Sequence, residues 1–247
     1  MNNPSPLSRR SWLSLLPGAL ALPAADPALP ALLPHDQASR DAALAALLAR
    51  IRGAARQRDF KTLEAMMLAT FRVEFDSGKG PGAFHRYWKP ESPSSPLWEV
   101  LERLFALGGT FYSPSLFAVS YVYTRFPPDL DILGHVVALR DNVPLLAEPQ
   151  AGAARLAEVS HAILPLAAPL KPPVRIPSAQ FLEVRHPSAA RAFVSAGDVY
   201  SPAAHRAFFE KAPNGRWRWI SLACATLAEP PDLYARKPAA KRKTARK

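Results

Sequence analysis

The chain has 247 residues, 49% of them hydrophobic, and can therefore bury the core of one or two domains. The formal net charge is +11, but residues 229–247 alone carry seven Lys and Arg against two acids, so the rest of the chain is too mildly basic to favour a nucleic-acid-binding fold. The single cysteine, Cys224, excludes an intramolecular disulfide and a metal site built from several cysteines.

The chain begins with a pattern typical of a bacterial export signal. Arg9 and Arg10 precede Trp12 and Leu13, and this arrangement resembles the twin-arginine signal. The apolar run 15–22 contains a proline, is too short to span a bilayer, and includes an Ala-Leu-Ala cleavage pattern. We therefore expect export to the periplasm and no transmembrane segment. An ordinary secretory signal or an uncleaved N-terminus is the alternative.

A helical region is predicted for residues 35–133, behind an export signal and Pro- and Ala-rich connector at 1–34. Ala42–Arg58 places apolar side chains at i, i+3, i+4 and i+7, which predicts an amphipathic helix. A second helix is predicted for Phe60–Phe71. A third follows a proline-rich break and ends at Gly108.

Short β-branched and apolar runs, separated by turn residues, extend from Gly134 to Pro202 and predict a small all-β unit. Among these runs, Phe181 is followed three residues later by Val184, and Phe193 directly precedes Val194 after a turn of small residues. This order resembles the bacterial SH3-like (SH3b) barrel. The resemblance implies a shallow aromatic ligand groove, for which the candidate residues are Phe181, Phe193 and Tyr200.

A β-hairpin is predicted around Asn214-Gly215, at the end of a barrel-containing region 134–227. Trp217 and Trp219 fall on one face of its second strand, where we expect them to be buried with the neighbouring arginines in solvent. The alternative is a surface that stacks on single-stranded nucleic acid or binds an anionic glycan. Earlier in the chain, Val119–Thr124 is predicted to form a strand.

Residues 228–247 are predicted to be a disordered basic tail, because they hold few large apolar side chains. Such tails bind polyanions through counterion release. The candidate residues for this binding are Arg236, Lys237, Lys241, Arg242, Lys243, Arg246 and Lys247. A tail that is merely solvated is the alternative. No specific nucleic-acid partner is expected for an exported chain.

No catalytic constellation is apparent in the sequence. The six histidines lie far apart and never at the spacing of metal ligands, and no Gly-x-Ser-x-Gly nucleophile motif is present. We therefore expect no enzyme activity, no metal and no cofactor.

Three patterns precede the all-β unit: Phe-Asp-x-Gly-x-Gly-x-x-x-Phe-x-x-x-Trp, Trp-x-x-Leu-x-x-x-Phe-x-x-Gly-Gly and Phe-x-x-x-Tyr-Val-Tyr. This succession, within about residues 44–225, resembles a group of exported bacterial proteins of unknown function that carry an SH3-like domain behind a helical region. The resemblance implies a location in the cell envelope and an α+β fold: an N-terminal helical region, then a small SH3-like β-barrel with a C-terminal β-hairpin.

The function expected from these patterns is that of a non-catalytic, exported binding module. Its SH3-like domain would recognise cell-wall peptide or another envelope partner. One alternative is a cell-wall hydrolase or its regulator, targeted by the barrel, with a carboxylate pair among Glu74, Asp76 and Glu102. Another is a polyanion binder that acts through the basic tail.

Overall fold

The computed structural model describes residues 29–73, 78–187 and 189–225. The α-helices in these ranges are α1 (Ala42–Gln57), α2 (Phe60–Glu64), α3 (Pro81–Trp88), α4 (Leu97–Ala106) and α5 (Tyr121–Thr124). The strands are β1 (Met67–Val73), β2 (Gly109–Ser113), β3 (Leu116–Val119), β4 (His135–Ala138), β5 (Val143–Leu146), β6 (Arg155–Val159), β7 (Ile163–Pro165), β8 (Phe181–His186), β9 (Ala189–Ser195), β10 (Val199–Tyr200), β11 (Arg206–Lys211) and β12 (Trp217–Ala223). Single 3₁₀ turns lie at Ala38–Arg40 and Ala196–Asp198.

The strands form three sheets. The first sheet has five strands in the order β1-β12-β11-β3-β2, with β1 and β12 parallel. The second sheet has the order β10-β4-β7 and the third sheet the order β6-β5-β9-β8. We call the second and third sheets together the β unit, residues 134–200. The architecture is mixed α+β, as predicted from the sequence.

The first core lies between the first sheet and helices α1, α3 and α4. Helix α1 buries Leu44, Leu48 and Ile51 in this core, as its apolar spacing predicts. Asp41 caps the helix by accepting hydrogen bonds from the backbone N–H groups of Ala43 and Leu44. The helix ends at Gln57, one residue earlier than predicted, because the next residue, Arg58, has a left-handed backbone.

The helix predicted at Phe60–Phe71 is wrong beyond its first turn. Helix α2 ends at Glu64, and the chain then forms β1, which lies at the edge of the first sheet beside β12. In β1, Phe71 and Val73 are buried while Arg72 is exposed. A β-prone stretch is a strand here because β12 supplies its hydrogen bonds, and a local pattern cannot show such a distant partner.

The region predicted as helical therefore also supplies three strands of the first sheet. Its helix α4 matches the third predicted helix, and α3 docks Phe84 and Trp88 onto the first core. The strand predicted at Val119–Thr124 is corrected: β3 ends at Val119, and Tyr121–Thr124 forms the single turn α5.

The hairpin around Asn214-Gly215 is confirmed as β11 and β12. Both Trp217 and Trp219 are buried in the first core, as expected. The hairpin does not belong to the β unit, however. Strand β11 pairs with β3 and β12 pairs with β1, so the hairpin is the centre of the first sheet.

The β unit has a second core of its own, made of small aliphatic side chains such as Val136, Leu145 and Val194. An isolated bridge between Leu166 and Val184 joins the second and third sheets. The two sheets do not form the closed barrel that was predicted.

The first residues that the structure describes pair with the β unit rather than running free as a connector. The Ile163 N–H donates to the Pro30 carbonyl at 2.7 Å, and the Leu32 N–H donates to the His161 carbonyl at 2.8 Å. Residues 29–33 thereby cover the outer edge of β7, which is otherwise an unpaired edge of the second sheet.

Candidate functional site

A pocket lies where helix α4, the proline-rich connection 166–180 and the chain from β10 onward meet. Helix α4 is amphipathic. Its apolar face enters the first core, and Glu99 and Arg103, one helical turn apart, lie on the side that meets the connection. Val100 stands beside them in the wall of the pocket. The pocket therefore sits at the junction between the helices and the β unit.

Arg103 fixes this junction. Its guanidinium donates to the carbonyls of Ile176 at 2.9 Å, Ala196 at 2.6 Å and Val199 at 3.0 Å, and lies 5.8 Å from the ring centre of Tyr200. Hydrogen bonds from a cation to neutral carbonyls hold the backbone of two loops in place without neutralising the positive charge.

The connection 166–180 forms the second wall with Val174, Arg175 and Ile176. The exposed guanidinium of Arg175 lies over the rings of Tyr87 and Trp88, 5.0 Å and 5.2 Å from their centres, and also donates to the Tyr87 hydroxyl. Arginine stacked on aromatic faces in this way keeps its outer N–H groups available to a ligand.

The third wall comes from Val199, Tyr200, Ala204 and His205. The Tyr200 hydroxyl donates to the His205 carbonyl at 2.7 Å, and burial raises the pKa of Tyr200 far above its usual range. Tyr200 is therefore a neutral, fixed wall of the pocket.

The charge of the pocket is positive on balance. Hydrogen bonds from Ser178 hold the pKa of the Glu99 carboxyl below its usual range, so this group is ionised at neutral pH. Against this one negative charge stand Arg103 and Arg175. Neither arginine forms an ion pair with any carboxylate in the part of the chain that the structure describes.

The pocket has a volume of about 90 Å³ and is lined largely by apolar side chains. For comparison, an apolar cavity of roughly 150 Å³ binds benzene. This pocket therefore suits a group smaller than an aromatic ring.

The structure separates the three aromatic residues proposed for a ligand groove. Tyr200 lines the pocket, whereas Phe181 and Phe193 do not. The register of β8 with β9 puts Phe181 and Phe193 on one face of the third sheet, opposite the face that carries Val184 and Val194 into the second core. Arg191 lies 5.0 Å above the Phe193 ring on this outer face.

Other candidate residues lie outside the described part of the chain. Arg9 and Arg10 of the export signal and the basic residues of the tail are among them, as are Glu74 and Asp76. Glu102 is exposed on α4. Within residues 29–73, 78–187 and 189–225, no group of three or more His, Cys, Asp or Glu side chains is placed to hold a metal ion.

Glu99, Arg103 and Arg175 were not predicted as pocket residues. The signal for the first two is a Glu-x-x-x-Arg pair on the polar side of an amphipathic helix, which is more often a surface ion pair. Arg175 stands among prolines in a connection without periodicity, where no local pattern indicates its position.

Known proteins give no further indication of function. The chain matches no protein-family model, no curated protein and no solved structure. In the described ranges, no helix has the length and apolar character needed to cross a membrane.

Proposed function

We propose that this chain is a non-catalytic binding protein of the bacterial envelope, and that the pocket at the junction of α4 and the β unit holds a short segment of cell-wall peptide. The observation that carries the proposal is the pairing of a small apolar pocket with two arginines that form no ion pair among the described residues. Binding sites characteristically combine apolar walls with a few fixed polar groups.

We propose further that the β unit is an open variant of the SH3-like fold. Its separate aliphatic core and the bridge between Leu166 and Val184 support this assignment. Cross-strand NOEs in an NMR structure would test it. NOEs that join the two sheets at Leu166 and Val184 but not between β6 and β10 would support the open variant, and NOEs that pair β6 with β10 would contradict it.

Export is proposed from the paired arginines. Replacing Arg9 and Arg10 together by Lys is expected to prevent delivery of the protein to the periplasm, because the twin-arginine signal requires the guanidinium groups. Cell fractionation would measure this. An unchanged periplasmic yield would indicate an ordinary secretory signal.

The binding proposal is tested by retention of the chain Leu22–Lys247 on purified cell-wall sacculi, at low and high salt. We expect retention that survives salt and the removal of residues 228–247. Retention lost with either would place binding in the basic tail, whose partner is then a polyanion.

Two matched variants locate the site in the same assay. Val100→Phe fills the pocket from a partly buried helix position and is expected to abolish retention. The double variant Phe181→Ala with Phe193→Ala removes both rings, including the largely buried Phe193, from the outer face of the third sheet and is expected to retain binding. The reverse result would move the binding surface from the pocket to the third sheet. Circular dichroism spectra of both variants control for folding.

A further inference from the structure

We infer that the ligand of the pocket is a peptide end: a free C-terminal carboxylate held by Arg175, with a small apolar last side chain inside the pocket. This inference rests on the proposed binding function and names the chemical class of its ligand.

The charges in the pocket favour a single negative group in the ligand. Arg103 and Arg175 give two positive charges, and Glu99 gives one negative charge. A cation that forms no ion pair with a neighbouring carboxylate stabilises an incoming anion, and a carboxylate matches the two parallel N–H groups of an arginine. The ionised Glu99 and the apolar walls disfavour a polyphosphate, whose several charges would meet a carboxylate and lose their hydration.

The two arginines have different roles in this geometry. Both terminal nitrogens of Arg103 already donate to backbone carbonyls of Ile176, Ala196 and Val199, so Arg103 supplies charge from a fixed position. Arg175 is exposed, and its one hydrogen bond among the described residues goes to the Tyr87 hydroxyl. Arg175 is therefore the arginine whose remaining N–H groups can reach a carboxylate.

The size of the pocket limits the side chain next to that carboxylate. A volume of about 90 Å³ with walls from Val174, Ile176 and Val199 admits an alanine-sized to valine-sized group. An aromatic side chain does not fit, and a charged one would leave its charge unpaired against the aliphatic walls.

The test compares acetyl-Ala-Ala with its C-terminal amide, each with L- or D-alanine at the last position. Calorimetry and ¹⁵N-resolved NMR titrations on the chain Leu22–Lys247 measure affinity and position. We expect the acid of at least one hand to bind ten-fold or more tightly than its amide, and to shift the amide signals of Val100 and Ala204.

Two arginine variants assign the contact. Arg175→Gln is expected to lower the affinity for the acid to that for the amide. The matched control is Arg191→Gln, since Arg191 is also exposed and also stacked on an aromatic ring, that of Phe193. It is expected to change neither affinity.

The outcomes separate this inference from the proposed function. If sacculi retain the protein while acid and amide bind equally, or neither peptide binds, the carboxylate inference is overturned and the binding function stands. If the acid–amide difference survives Arg175→Gln or disappears with Arg191→Gln, the assignment to Arg175 is overturned. If sacculi do not retain the protein while the acid binds selectively, the cell-wall assignment fails and the peptide-end site stands.

Discussion

The first core and the second core are built from different side chains. In the first core, Trp219 is fully buried and its ring centre lies within 6.3 Å of those of Phe71, Phe84, Phe105 and Phe209. The second core contains only alanine, valine and leucine side chains. Stability in the first region therefore depends on a few large rings, whereas in the β unit it is spread over many small contacts.

The difference also explains where the candidate site lies. The first core extends into the β unit at Val137, Ile163 and Tyr200, and Arg103 adds hydrogen bonds to the backbone across the same junction. A pocket forms beside these contacts because aliphatic side chains from α4 and β10 meet without filling the gap. Arg103, which helps to fasten the two regions, also contributes to the charge of the pocket.

The largest effect is expected from Trp219→Ala. This change removes the ring shared by four phenylalanines and the hydrogen bond from its indole N–H to the Ser221 carbonyl. The free energy of unfolding should fall by about 3–5 kcal/mol. Urea denaturation measures it, with Leu33→Ala as the control, since Leu33 is 66% exposed and its truncation should cost within about 0.5 kcal/mol. Equal effects would mean that the aromatic cluster is not the main support of the first region.

A smaller effect, with a change in the shape of the transition, is expected from Arg103→Met. Methionine keeps much of the side-chain length but loses three hydrogen bonds across the junction, which should cost about 2–3 kcal/mol in total. These bonds link the two regions. In the variant, the unfolding transition monitored by tryptophan fluorescence should therefore no longer coincide with the transition monitored by far-UV circular dichroism. Coincident transitions would show that other contacts, such as those of residues 29–33, couple the regions.

How much of this the sequence could show differs between the two regions. Helices α1 and α4 and the hairpin at Asn214-Gly215 carry their signals locally, in apolar spacing, helix breakers and turn residues. Strand β1 was predicted as a helix because Met66, Met67 and Phe71 fit either pattern, and its partner β12 is distant in sequence. Non-local pairing decided the outcome there.

The pocket was predictable only in part. Tyr200 was proposed as a ligand residue from the order of motifs, but the residues that give the site its charge come from separate elements. Arg103 and Ile176 are 73 residues apart along the chain, and no local spacing relates them. Placing Phe181 and Phe193 required the register of β8 with β9, which sets the outward face of the third sheet.

In the second core, Val194→Ala should cost about 1.5–2 kcal/mol, less than half the upper value expected for Trp219→Ala. The side chain is fully buried, and the change removes the equivalent of two methylene groups at roughly 0.8 kcal/mol each, with a small cavity left behind. Urea denaturation measures the loss. A cost equal to that of Trp219→Ala would contradict the contrast between the two cores. Leu156→Ala, at a residue 46% exposed on β6, is the control.

The smallest effect concerns an ion pair that joins α1 to the hairpin in the first region. Lys211 Nζ donates to Asp41 Oδ2 at 2.7 Å, and this contact, with the cap hydrogen bonds, lowers the pKa of Asp41 from 3.8 to about 2. A lowered carboxyl pKa means that the stabilisation is complete above the unfolded value of 3.8 and is lost as the pH falls toward 2. Asp41→Asn keeps the capping oxygen, so it should cost less than about 1 kcal/mol at pH 7. Urea denaturation between pH 5 and about pH 2 should then show a weaker loss of stability in Asp41→Asn than in the unmodified chain. Parallel curves for the two proteins would mean that the charge of Asp41 contributes nothing to the stability of the first region.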